Sequence, residues 1–172
     1  MRIRTTTELA KLVHIEKSLL VPGESADSFF EEWAACLFVA RHRQFLLFTE
    51  ALTLFSIVAP ADKLTDSMSL TKLFVNSVSK AMLDLVEGGG PDEVRIEGIE
   101  FTKTKNDGLR RAQIDMAYHA SAKIEEGKNS FEINRIPIKS IGYRFPVDRF
   151  ITEVGLKLKA TGELWSFVPE ML

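Results

Sequence analysis

The chain has 172 residues, of which 45% are hydrophobic and 27% are charged. This length corresponds to about one domain, and the composition is typical of a globular protein rather than a disordered one. The 22 basic and 24 acidic residues give a net charge of −2, so no overall positive field indicates a nucleic-acid partner. We therefore predict a single domain over residues 1–172.

A single cysteine, Cys36, excludes an intramolecular disulfide and a zinc site closed by cysteines. The most apolar stretch, residues 33–60, is interrupted by residues 41–44 and by Glu50. Neither half reaches the roughly 20 residues that a membrane-spanning helix requires. No apolar stretch of the signal-peptide type follows the first residues. We expect a cytoplasmic protein that does not bind membranes.

The first elements are short. Residues 2–5 alternate polar and apolar side chains, which is typical of a short edge strand. Thr6 or Thr7 then follows at a position where its hydroxyl can cap a short helix that carries Leu9 and Leu12 on one face. We therefore predict an edge strand followed by a helix.

Three apolar runs, residues 33–40, 45–49 and 52–58, are separated by short polar breaks. Such close spacing predicts antiparallel strands, because parallel strands need a crossover of about a dozen residues. The nearly continuous apolarity indicates a sheet covered on both faces. A buried helix over residues 29–40 is the alternative, and the sheet is favoured.

Helical periodicity dominates the second half of the chain. Apolar residues recur every three or four positions over residues 65–87, and Gly88 ends that helix. A second helix begins at Asn106 or Asp107 and stops at Gly127. Together with the three strands, these helices predict an α+β fold, in which an antiparallel β-meander sheet packs against two or three amphipathic helices.

The remaining segments complete the domain. Residues 96–104 alternate like a half-exposed strand, whereas residues 136–143 contain a proline and predict an extended packing segment rather than a ladder strand. Pro146 is suited to the first turn of a last helix. The C-terminal tail, residues 162–172, carries Trp165, and we expect it to pack back on the domain or to mediate self-association as a homodimer.

Several short blocks carry a family resemblance: residues 3–6, 33–38, 41–43, 46–49 and 104–106, with Asp115. They resemble an uncharacterised bacterial family, domain of unknown function number 6933, which is sometimes associated with plasmids. Cys36 stands where the family pattern has Asn, Asp107 where it has Arg, and residues 111–114 where it has Gly–Ser–Met–Asn. The resemblance covers about residues 1–119 and implies a fold, with no mechanism.

Two groups of cations are candidates for a binding surface, one at a predicted turn and one around a strand-to-helix junction: Arg41 and Arg43, and Lys105, Arg110 and Arg111. Free N–H groups and the positive dipole end of a helix favour phosphate or carboxylate groups. If both groups lie at the same end of the sheet, they form one surface for a phosphate-bearing ligand or a nucleic acid. The alternative is that these are ordinary solvated charges.

Three other features could carry chemistry. Asp115 and His119 lie four residues apart on a predicted helix, so both could bind one divalent metal ion, although an ordinary ion pair is the alternative. Cys36 could act as a nucleophile with a histidine, but its apolar neighbours favour a buried, unreactive thiol. The glycines at 88–90 do not match a phosphate loop, and we expect no cofactor.

From these features we predict a non-enzymatic binding or interaction module with an anion-binding or nucleic-acid-binding basic surface. The alternative is a small metal-dependent hydrolase that uses Asp115 and His119. A purely structural or assembly role is the third interpretation, and the sequence leaves open whether the protein is an enzyme.

Overall fold

The computed structural model describes residues 1–16, 20, 28–85, 98–103 and 107–161, with side chains through 156. Within them lie five strands: β1 Arg2–Thr5, β2 Glu32–Ala40, β3 Arg43–Glu50, β4 Ser56–Pro60 and β5 Glu100–Lys103. The α-helices in the same ranges are α1 Thr7–Leu12, α2 Ser67–Leu85, α3 Asp107–Glu125 and α4 Pro146–Thr161. Two 3-10 turns, Ser130–Arg135 and Lys139–Ile141, separate α3 from α4. The predicted α+β class is confirmed.

The strands form one mixed sheet in the order β4-β3-β2-β1-β5. β2, β3 and β4 are the predicted antiparallel meander. β1 lies inside the sheet and pairs in parallel with both β2 and β5, so the prediction of an edge strand was wrong. Arg4 of β1 is buried because its guanidinium pairs with the Glu32 carboxylate, with Nη2 2.8 Å from Oε2. Their opposite charges allow a polar pattern to occupy an interior strand.

Residues 32–40 form a strand, so the alternative of a helix is excluded there. The third strand begins at Ser56 rather than at residue 52, because residues 51–55 form a turn around a buried carboxylate. Glu50 accepts hydrogen bonds from the backbone N–H groups of Phe30, Leu52 and Thr53 and from the Thr53 hydroxyl. These four donors stop the meander from continuing directly.

Both faces of the sheet are covered, as the apolar runs predict. Alternate residues of β2 point to opposite sides. On one side Trp33 packs with Phe74 of α2 and Phe150 of α4. On the other side Ala34 packs with Leu109 and Ala112 of α3. Further along that second face the core consists of Leu47, Met116, Ala120 and Ile133. The sheet is therefore the middle of three layers.

The helices beginning near 65, 106 and 146 match α2, α3 and α4. Residues 136–143 contain the Lys139–Ile141 turn and one isolated bridge from Ile138 to Arg144, so they do not form a ladder strand, as predicted. Lys105, Gly88 and the C-terminal tail 162–172, including Trp165, lie outside the described residues. None of the helices in the described ranges is long and apolar enough to cross a bilayer.

Candidate functional site

The first group of predicted cations lies at the tip of the β2–β3 hairpin. Arg41 and His42 form its two-residue turn with positive φ angles of 47° and 60°, as a type I′ turn requires. The Arg41 backbone N–H donates to the Glu125 carboxylate (2.6 Å), and its guanidinium donates to the Glu125 carbonyl (3.0 Å). Arg43 forms an ion pair with Asp62. Arg41 therefore fastens the hairpin tip to the negative end of α3, whereas Arg43 ties the start of β3 to the segment that follows β4.

The second group lies at the other end of that helix. Arg110 and Arg111 are exposed in the first turns of α3, and Lys103 is exposed at the end of β5. Within the described ranges, no carboxylate forms an ion pair with any of these three side chains. Lys105 lies outside those ranges. The cations at the start of α3 are therefore available to an anion.

The structure does not bring the two groups together. Arg111 precedes Glu125 by fourteen residues on α3, and at about 1.5 Å per residue this corresponds to roughly 21 Å along the helix axis. Arg41 contacts the Glu125 end of that helix. The condition for one shared basic surface, namely that both groups lie at the same end of the sheet, is not met.

The other predicted residues occupy ordinary surroundings. Asp115 is exposed and His119 is half-buried on α3, and no cluster of three His, Cys, Asp or Glu residues occurs in the part of the chain that the structure describes. Burial raises the pKa of the Cys36 thiol to about 12. At neutral pH this thiol is protonated and therefore a poor nucleophile.

A groove that the sequence did not predict lies along the free edge of the sheet. It has a volume of about 1080 Å³ and is bounded by β4, by α2, by the Ser130–Arg135 turn and by the start of α4. Its apolar walls include Leu73, Phe131, Phe145 and Ile151. Phe145 and Ile151 are 41% and 48% exposed, so part of this apolar wall is open to solvent. The groove is therefore a concave and partly apolar surface.

The hydrogen-bond register determines which backbone groups of β4 face this groove. Glu50 N–H donates to Phe55 C=O (2.8 Å), and Ala61 N–H donates to Gln44 C=O (3.0 Å). Since antiparallel pairs alternate between bonded and non-bonded, Ile57 and Ala59 face β3 with both backbone groups. The N–H and C=O groups of Ser56 and Val58 therefore point away from the sheet.

Only the first of these two positions is closed. The Asn134 side chain accepts from the Ser56 N–H (2.7 Å) and donates to the Ser56 C=O (2.8 Å), so its amide takes the place of a neighbouring strand. No other group in the described ranges forms a hydrogen bond with the outward backbone groups of Val58. Pro60 follows two residues later and has no N–H to offer. The groove thus presents one open donor–acceptor pair, at Val58.

The charges of the groove are balanced. Lys80 and Arg135 line it together with Asp84 and Asp148. Two cations and two carboxylates give no net field that would attract a strongly charged ligand. The one sequence signal for this site was Pro60, because proline within a strand indicates a sheet edge.

Comparison with known proteins gives one match. The family model described as Domain of unknown function (DUF6933) matches residues 2–149. This match includes β1 through β5 and every residue that lines the groove except Ile151. No curated protein and no solved structure matches the chain.

Proposed function

The chain belongs to the family described as domain of unknown function DUF6933, and we propose that it is a non-enzymatic interaction module that binds an extended polypeptide segment along β4. The proposal rests on the open backbone pair of Val58, which lines a partly apolar groove. The bacterial origin, the plasmid association and the cytoplasmic location that the sequence suggested stay predictions.

An extended segment is the ligand that fits these features best. A free sheet edge binds such a segment by adding it as a strand, with main-chain hydrogen bonds for affinity and pockets for alternate side chains. The walls offer apolar contacts through Phe131, Phe145 and Ile151. Because the charges of the groove are balanced, the central residues of the ligand are expected to be uncharged and alternately apolar.

Peptide selection with two variants of one residue tests this function. A displayed library of random linear peptides is selected on the protein, and the enriched peptides are titrated against Val58→Pro and Val58→Ala. Val58→Pro removes the outward N–H but leaves the hydrogen bonds between β3 and β4 intact. Val58→Ala keeps the N–H and shortens the side chain. We expect Val58→Pro to weaken binding about tenfold, which is the loss of roughly 1.4 kcal/mol, and Val58→Ala to weaken it less.

The same titrations provide the result that would refute this function. Thermal unfolding must show that both variants are folded. If the enriched peptides bind the folded Val58→Pro variant as tightly as the parent, or if no peptide is enriched, the groove does not bind by strand addition.

A second function is favoured by one specific observation. Arg110 and Arg111 lie at the positive end of the α3 dipole, where cations are less favourable than anions, and no described carboxylate pairs with them. A bound phosphate group would offset this unfavourable charge. We propose that phosphate-bearing ligands or nucleic acid bind at this end of α3, through Arg110 and Arg111, and not at the hairpin.

Two matched double variants separate the two ends. A labelled oligonucleotide is titrated at low salt against Arg110→Ala/Arg111→Ala and against Arg41→Ala/Arg43→Ala. We expect the first to lose binding without a change in thermal stability. The second should keep binding but unfold at a lower temperature, because it loses the contacts to Glu125 and Asp62. Equal loss of binding in both variants, or no binding by the parent, would refute this assignment.

A further inference from the structure

We infer that the groove along β4 selects the free C-terminus of a partner protein, which runs antiparallel to β4 and ends beside Asn134 with its carboxylate at Arg135. This inference rests on the proposed function, because it assumes that the groove binds an extended segment. It deepens that function by naming the part of the partner that binds, which is a chain end and not an internal stretch.

Asn134 closes the β4 edge at Ser56. Its side chain is fully buried and forms hydrogen bonds of 2.7 and 2.8 Å with the N–H and the C=O of Ser56. An added strand that continued in this direction would form its next pair of hydrogen bonds with Ser56, two residues from Val58. Because the Asn134 amide lies where that strand would run, a bound segment must end there or bend away from the edge.

The opposite end of the edge is open. Pro60 lies two residues beyond Val58, so its C=O group also points away from β3. Pro60 is exposed, and no backbone N–H of the described ranges donates to this oxygen. A bound segment can therefore donate one more hydrogen bond at Pro60 and continue beyond the groove. An edge that is closed at one end and open at the other suits a chain terminus.

The pairing at Val58 and the position of Arg135 favour the C-terminus. An antiparallel segment satisfies both outward groups of Val58 with a single residue, and antiparallel pairing is the more stable kind. In this orientation the segment enters at Pro60, and its C-terminus lies at the closed end. Arg135 directly follows Asn134 and lines the groove. Its guanidinium is exposed, forms no ion pair with a described carboxylate, and has the planar shape that binds a carboxylate through two hydrogen bonds.

The acidic residues of the groove do not oppose this assignment. Asp84 lies on α2 and Asp148 on α4, whereas Arg135 lies in the same turn as Asn134. Lys80 balances the second carboxylate, so the groove has no net negative charge that would repel a chain end. The backbone of the turn therefore holds the cation at the closed end of the edge.

The register also assigns the side chain of the last residue. In an antiparallel pair, the residue that follows the one bonded to Val58 lies opposite Ile57, and opposite residues share a face of the sheet. Ile57 packs on the face that carries Trp33, where Leu73 and Ala81 of α2 line the groove. We therefore expect the last residue of the partner to be apolar.

Paired peptide libraries test this inference on the full-length protein. The same random peptides are displayed once with a free C-terminus and once fused through their C-terminus, and we expect enrichment only from the first library. An enriched peptide should bind about tenfold more weakly when its C-terminus is amidated or extended by a few glycines, and equally well when its N-terminus is acetylated. Arg135→Gln should weaken the free peptide by a similar factor and leave the amidated one unchanged. Lys80→Gln is the matched control and should change neither.

Every other result overturns the inference. Equal enrichment from both libraries, or equal binding of the extended peptide, would show that the segment passes Asn134, and only this inference would fail. Loss of binding on acetylation instead of amidation would mean that the segment runs parallel to β4 and presents its amine. Equal effects of Arg135→Gln and Lys80→Gln would show that Arg135 does not hold the carboxylate. Enrichment from neither library would refute the proposed function itself.

Discussion

Ser56 and Val58 lie two residues apart on the same edge strand, and both direct their backbone N–H and C=O groups away from the sheet. At Ser56 the Asn134 side chain forms hydrogen bonds with both of these backbone groups. At Val58 the outward N–H and C=O groups face a groove of about 1080 Å³. The difference shows how a protein can close part of an exposed edge with one side chain and leave the rest accessible.

A fully open edge of this length would be a risk, because unpaired strands associate with other chains. Asn134 shortens the open part of β4 to one residue, and Pro60 removes the next outward N–H. The remaining pair at Val58 is too small to template a sheet by itself. In the proposed complex this pair supplies the main-chain hydrogen bonds of the bound segment, and the apolar walls contact its side chains.

The largest expected effect is at the closed position. Asn134→Ala leaves the N–H and C=O groups of Ser56 without partners in a buried place, so we expect the free energy of unfolding to fall by about 2–4 kcal/mol. Asn129→Ala is the matched control, because Asn129 caps the same turn at an exposed position, and its loss costs about 1 kcal/mol. Urea unfolding measures both variants. Equal losses would show that the Asn134 amide does not act as a substitute strand.

Local patterns predicted much of this fold. The spacing of apolar residues identified the meander and the helices α2, α3 and α4, because each of these buries a periodic face. The interior position of β1 was not predictable, since it depends on an ion pair between Arg4 and Glu32, which are 28 residues apart. A polar residue that is neutralised by a distant partner looks, in sequence, like a solvent-exposed one.

The candidate site was less predictable for a related reason. The groove is assembled from β4, α2, the Ser130–Arg135 turn and α4, none of which carries a motif. The basic residues attracted attention because charges are visible in a sequence, but Arg41 and Arg43 serve to fasten a hairpin. Arg41 lies far from Arg110 and Arg111 because α3 is long and because Arg41 contacts Glu125 at the far end of that helix. The length of the helix could be predicted from the sequence, but the contact to Glu125 could not.

A second side chain that closes backbone groups, Glu50, extends the comparison because it is ionisable. Its carboxylate is fully buried and accepts four hydrogen bonds, three of them from backbone N–H groups. Burial raises the pKa of Glu50 above its ordinary value of 4.5, and the hydrogen bonds from Thr53, Phe30 and Leu52 oppose this only in part. Asn134 also forms hydrogen bonds with backbone groups, but its amide does not ionise.

The smaller effect is therefore expected from Glu50→Gln, and it should depend on pH. At neutral pH the amide N–H₂ faces one of the backbone donors, which costs about 1 kcal/mol. Because the folded pKa of Glu50 is raised, its protonated form stabilises the parent below pH 4.5, and this contribution disappears as the pH rises through the raised pKa. The difference in the free energy of unfolding between parent and variant should therefore shrink from acidic to neutral pH. A difference that grows over this range would mean that the four donors, and not burial, control the ionisation of Glu50.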